Sequence, residues 1–169
     1  VEREGQAVGQ TIRDLNDAER RWVGQNVELA TDYAESLGIR VDAGETLGPD
    51  ALDAAWSVWL EGHAEEQDDP NPYINLFGVA FGAHLVRRLG LEWKVVSDEQ
   101  GTEIAVWGRD GDILVFPPNL VAKRYDEGTH RFFADVAAWI EERVGQVRTE
   151  AAGSDKGPGR VGRFFRRGP

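Results

Sequence analysis

Between Asn71 and Val147 the chain carries one unbroken plan of an apolar helix, three short strands and a second amphipathic helix. Asn71-Pro72 marks the start, since Asn caps exposed amides and Pro in a first turn loses nothing by lacking an N–H. Ile74, Phe77, Gly78, Phe81, Leu85 and Leu89 form one stripe, closed by Gly90. Gly78 and Gly82 lie one turn apart on that helix, each at a cost of about 1 kcal/mol relative to alanine. Such a cost implies that another backbone or a large ring packs closely there. Strands are expected over Glu92–Asp98, Thr102–Trp107 and Asp112–Phe116, rich in Val, Ile and Trp, and Asp110-Gly111 signals a tight hairpin. With turns this short the strands pair as an antiparallel meander, and Ile113 to Phe116, apolar on both faces, is the best buried. Pro117-Pro118 stops the third strand, and Asn119 caps a short helical segment through Asp126. Gly128 breaks that segment, and a last helix begins near Thr129 with Phe133, Val136, Ala137, Ile140, Val144 and Val147 facing the core.

Two helices precede this unit. Asn16 with Glu19 has the polar logic of a capping box, and Val23, Val27, Ala30, Ala34 and Leu37 then recur at helical spacing up to Gly38. Trp22, Leu29 and Tyr33 add a second apolar strip, so this helix should be widely covered. A second helix is expected from about Pro49 to Ala64 on Leu52, Ala55, Trp56, Trp59, Leu60 and His63, followed by an acidic connector ending at Pro70. The fold class is α+β, with helices packed on one face of a small meander. One domain spans 1–147, with a helical part at 11–66 and the helix-meander-helix core at 71–147. Residues 148–169, rich in Gly, Ala, Ser, Pro and basic side chains, form a flexible tail.

Charge divides the chain. The net charge is −11, but residues 1–147 balance at −15 and residues 148–169 at +4. A body of that sign argues against a nucleic-acid-binding core, because Lys and Arg supply most of the affinity for phosphate. The absence of cysteine excludes disulfides and thiol catalysis, and no apolar run approaches the length that spans a bilayer. A cytoplasmic location is expected, although a start at Val1 rather than Met leaves room for a removed leader or tag.

No cluster has the residue types and spacing of a known reaction. None of Ser36, Ser57, Ser97 and Ser154 lies in a nucleophile-elbow context, and neither His84 nor His130 sits in a recognisable triad. His63, beside Glu61 and the acidic connector, falls on an apolar stripe where a buried, hydrogen-bonded histidine is the commoner outcome than a metal ligand. Neither a cofactor nor a metal is expected. The best candidate site joins Asp98, Glu103, Lys123 and Arg124 beside Trp93 and Trp107, as a pocket for a charged ligand or as a partner contact. A structural ion pair pinning the short helix to the sheet is the plainer account of those charges. Trp107, one residue from a turn, should be partly exposed, as an interface anchor is. In the tail, Arg160, Arg163, Phe164, Phe165, Arg166 and Arg167 interleave cations with rings, which suits an acidic membrane, nucleic acid or an acidic protein face.

The stretch Asn75 to Glu127, with Gly78-x-x-x-Gly82, Gly90-Leu91-x-Trp93, Asp98-x-x-Gly101, Ala105-Val106, Phe116-Pro117 and Lys123-Arg124, resembles a bacterial family, domain of unknown function 3806. The resemblance implies a bacterial origin and a small α+β domain. It implies no activity, and it leaves out the N-terminal helices and the tail. The reading these features support is a non-catalytic interaction domain with a protein partner, in a sharper form neutralising a basic partner as toxin-immunity proteins do. The alternatives are a small-ligand-binding or hydrolytic enzyme using Asp98, Glu103 and Lys123, and a membrane or nucleic-acid adaptor acting through the tail.

Overall fold

The computed structural model describes residues 10–42, 44–66, 68–108 and 113–153. Four strands and five helices follow in the order β1 (Thr11–Asp14), α1 (Asp17–Ser36), α2 (Pro49–Glu66), α3 (Asn71–Leu89), β2 (Glu92–Asp98), β3 (Gly101–Gly108), β4 (Ile113–Val115), α4 (Pro117–Asp126) and α5 (Phe133–Gly153). The sheet is antiparallel in the order β1-β2-β3-β4. The fold is α+β, with one strand more than the sequence implied. β1 carries a single apolar residue, Ile12, and all four of its residues are exposed, so it offers no alternation to detect. Its place is fixed by pairing from Thr11↔Ser97 to Asp14↔Lys94 and by an Asp14 Oδ1–Lys94 Nζ bond of 2.6 Å.

The register sorts the sheet into two faces. Trp93, Val95, Val106 and Val115 point toward the helices, while Lys94, Val96, Ala105, Trp107 and Leu114 point away. The main core lies between the sheet and α2, α3, α4 and α5, around Trp56, Phe77, Phe81, Phe133 and Ile140. Each buried aromatic there contributes about 2–3 kcal/mol of apolar burial.

Gly78 and Gly82 have the role their cost implied. A Cβ on Gly78 would lie 2.5 Å from Pro118 Cα, and one on Gly82 would run into the Trp93 ring. Both a backbone and a large ring therefore approach α3. Pro117 and Pro118 do not merely stop β4. They occupy the first turn of α4, where their missing N–H groups are no loss. Asn71 is also shifted by one position: the cap residue is Pro70, and Asp69 Oδ1 accepts from the Asn71 N–H at 3.0 Å.

The last helix departs most from its expected bounds. It starts at Phe133 rather than Thr129 and runs to Gly153, past Val147. The start is set from α2. Asp53, 3 % exposed, accepts from the amides of Phe132 (2.6 Å) and Phe133 (2.9 Å) through Oδ1 and from Ala134 (3.1 Å) through Oδ2. A carboxylate borrowed from another helix thus satisfies the otherwise unpaired first-turn amides, which Phe132 cannot. Trp56 Nε1 donates to Thr129 O at 2.8 Å and Ser57 Oγ to His130 O at 2.6 Å, holding residues 129–132 out of the helix.

The capping box of α1 forms as its sequence implied. Asn16 Oδ1 accepts from the Glu19 amide at 2.9 Å, and Glu19 Oε2 accepts from the Asn16 amide at 2.8 Å. Arg13 of β1 also grips both Glu19 oxygens, at 2.7 and 2.8 Å. The Arg13 side chain, then the Asn16 amide, hold the Glu19 carboxyl down to about 2. A depressed carboxylate stabilises fully above its ordinary value and loses that contribution as pH falls through the folded value. The β1–α1 junction is therefore expected to keep its Asn16 amide protection at pH 4 and to lose it on approach to pH 2. A Glu19 side-chain NMR titration with an ordinary midpoint near 4.5 would contradict this.

Candidate interaction surface

α1 has two apolar strips, and the second is only partly covered, with Trp22 and Tyr33 half-buried against the core. Val23, Ala30 and Ala34 are buried, whereas Leu29 on the second strip is 55 % exposed. The wide cover expected for this helix is not complete: α1 packs on α3 and α2, and Leu29 stays exposed between the half-buried Trp22 and Tyr33. These three side chains instead form one wall of an open groove of about 710 Å³. Its other wall is the first turn of α3, with Pro72, Tyr73 and Leu76.

The floor of the groove is a chain of packed aromatic rings. Tyr33 meets Tyr73 edge-on at 6.2 Å and Phe77 at 6.1 Å, and Tyr73 stacks on Trp59 at 4.9 Å. Trp59 in turn stacks on His63 at 4.8 Å, and His63 Nε2 lies 3.0 Å from the Tyr125 hydroxyl. His63 is thus a buried, hydrogen-bonded member of an aromatic chain that ties the groove to α4. Burial, then the neighbouring Tyr73, push the Tyr33 hydroxyl above its ordinary pKa. The rim is polar and acidic. Gln25, Asn26 and Asp32 line the groove, and Glu28 and Glu35 stand exposed on the same helix.

The residues expected to share a site are divided between two faces and two layers. Trp93 lies on the helix side of the sheet against Gly82, whereas Glu103 and Trp107 lie on the outer side. Lys94 sits above Trp107, 5.3 Å from the ring centroid, between Asp14 and Glu92 (2.8 Å). Those two carboxylates, Asp14 first, raise the Lys94 pKa. Trp107 is partly exposed. Asp98 holds the β2–β3 turn by accepting from the Gln100 amide at 2.8 Å. Lys123 and Arg124 stand on α4, with Glu127 at 4.0 and 2.7 Å, and Arg124 lies 6.0 Å from the Phe132 ring. Trp93 and Trp107 therefore do not line one side of the sheet together.

His84 is half-buried on α3, where burial holds its imidazole below the ordinary value against the opposing charge of Glu141. His130 Nδ1 lies 3.9 Å from Glu61. Among the described residues, no three His, Asp or Glu side chains are placed to hold a metal, and no helix is long and apolar enough to cross a membrane. Arg160, Arg163, Phe164, Phe165, Arg166 and Arg167 lie outside the described residues, as does the Asp110-Gly111 turn.

Sequence reasoning missed two features. Asp53 neighbours the apolar stripe of α2, and the only signal was that the start of α5 has no capping side chain of its own. The groove was visible as the strip Trp22, Leu29, Tyr33, but was assigned to the interior.

The family model described as a domain of unknown function (DUF3806) matches residues 50–133, from the second residue of α2 to the first of α5. The resemblance read over residues 75–127 is thereby shown and extended to include α2, which had been placed outside it. One wall of the groove, on α3, lies within the match, and the other, on α1, lies outside. No curated protein and no solved structure matches the chain.

Proposed function

We propose that this chain, which carries the domain of unknown function DUF3806 at residues 50–133, is a non-catalytic protein-interaction module that binds through the α1–α3 groove. The observation that supports this is the open strip of Trp22, Leu29, Tyr33 and Tyr73 beside exposed carboxylates. Apolar surface left open on a floor of packed rings, rimmed by charge, is the anatomy of a contact site, in which a few aromatic anchors carry most of the energy. The acidic rim and the −15 balance of residues 1–147 select a partner with a basic face, and neutralising such a partner, as bacterial toxin-immunity proteins do, is the sharper form of the reading. The contact surface moves from Trp107 and Lys123-Arg124 to the groove, because those residues belong to separate layers. The same separation leaves the hydrolytic alternative at Asp98, Glu103 and Lys123 without a supporting observation.

Leu29→Arg tests the assignment with little risk to folding, since exposed substitutions shift stability by only about 0.5 kcal/mol. Captured side by side on wild-type and Leu29→Arg chains, a basic partner is expected to lose at least about tenfold in affinity, which is about 1.4 kcal/mol. Its association with the wild type is expected to weaken as salt rises. Equal capture by both chains would remove the groove from the interaction.

A further inference from the structure

The lining of the α1–α3 groove repeats at the spacing of a helix seam. On α1 it is made by Trp22, Gln25, Asn26, Leu29, Asp32 and Tyr33, at i, i+3, i+4, i+7, i+10 and i+11. Positions so spaced fall on one face, so the groove follows the α1 axis for about three turns, or about 17 Å. The α3 wall is shorter, about one turn between Pro72 and Leu76. Along the apolar line Trp22 and Tyr33 are half-buried, and Leu29 between them stands exposed.

Charge lies on one flank of that seam. Glu28, Asp32 and Glu35 are exposed at i, i+4 and i+7, so they form a row beside Leu29. None of the three forms an ion pair with a described residue, whereas Asp17 and Glu19 at the other end of the same helix are each paired with an arginine. The last turn of α1 also has no basic residue to offset the partial negative charge of its carbonyls. The acidic row and the helix end therefore add, and a cation brought from outside relieves both.

The walls also select the shape of what they hold. Both are helices, whose backbone groups are paired along their own axes, and neither offers a strand edge. An extended segment laid over Trp22 and Leu29 would leave its own N–H and C=O groups against apolar side chains without partners. A helix satisfies those groups internally and presents a stripe with the period of the seam.

Building on the assignment of the α1–α3 groove as the contact surface, on which this step rests, we infer that its occupant is a basic amphipathic helix of the partner. That helix lies along α1, with apolar residues at i, i+3 or i+4, i+7 and i+11 over Trp22, Leu29 and Tyr33. Its lysines or arginines stand on one flank of the stripe, against Glu28, Asp32 and Glu35. About three to four turns fill the length of the groove.

A displayed pool of peptides of about 18 residues, long enough to hold a helix, separates this occupant from other shapes. One third carries the helical pattern just described, one third the same composition rearranged to strict apolar-polar alternation, and one third proline-rich segments of equal charge. Selection on the full wild-type chain, scored against the Leu29→Arg chain, is expected to enrich the helical third at least about tenfold over the others. The recovered helices are expected to lose about tenfold in affinity for the Asp32→Lys, Glu35→Lys double variant, whose new cations favour the end of α1. Exchanging the peptide's lysines for glutamates is expected to regain binding to that variant. Enrichment of the alternating or proline-rich third that is still lost on Leu29→Arg overturns the helix and leaves the groove as the contact surface. Helices that bind the double variant as well as the wild type overturn the pairing with the acidic row. Equal enrichment on wild-type and Leu29→Arg chains, or none at all, removes the groove itself and the helix with it.

Discussion

Asp53→Ala is expected to destabilise the fold by about 3 kcal/mol. The carboxylate is buried and accepts three backbone N–H groups at the start of α5. Removing an ordinary N-cap costs about 1 kcal/mol, but that figure describes exposed caps whose amides find water. Here the Phe132 and Phe133 amides are enclosed with their own rings, and stranding buried donors of a charged bond costs about 1–3 kcal/mol each before relaxation. The side-chain bonds of Trp56 and Ser57 to residues 129 and 130 remain, so the helix start loosens without detaching. Urea unfolding should show the midpoint falling at unchanged slope. Asp53→Asn, which keeps one acceptor oxygen, is expected to lose about half as much. A loss below about 1 kcal/mol for Asp53→Ala would mean that α5 is not held from α2.

Gly78→Ala is expected to cost about 2 kcal/mol, against the sign that helix propensity alone would give. Alanine in a helix interior gains about 1 kcal/mol over glycine. At position 78 that gain is outweighed, because the new methyl meets Pro118 Cα at 2.5 Å and neither backbone has a rotamer to change. Gly24 of α1 and Gly62 of α2 have nothing within 4 Å of the same methyl. Gly24→Ala and Gly62→Ala are thus expected to stabilise by up to about 1 kcal/mol. Opposite shifts from one chemical change, measured in the same thermal or urea series, separate close packing from propensity. Stabilisation by Gly78→Ala would contradict the α3–α4 contact.

The helix-meander-helix unit was legible because its signals are local: stripe periodicity, tight turns, prolines and a glycine pair whose cost demanded a close neighbour. What was not legible depends on partners distant in sequence. β1 has four exposed residues and is defined by its pairing to β2, eighty or more positions away. The first residue of α5 is set by a carboxylate from α2, and Thr129, near which the helix was expected to begin, is instead held by Trp56. Composition also does not distinguish an apolar strip that is covered from one that is left open. Val23, Ala30 and Ala34 are covered and Leu29 is not. Strand alternation, for a related reason, sends Trp93 and Trp107 to opposite sides of the sheet.

The proposal that this protein works by holding a partner in the α1–α3 groove is tested most directly by amide hydrogen exchange on the full chain, free and with the captured basic partner at saturation. The account predicts added protection in the middle of α1, residues 22–33, and in the first turn of α3, residues 71–76, with α4 and the β2–β3 turn unchanged. Protection confined to α4 or to the Asp98–Gly101 turn, with the groove exchanging as in the free chain, would contradict it.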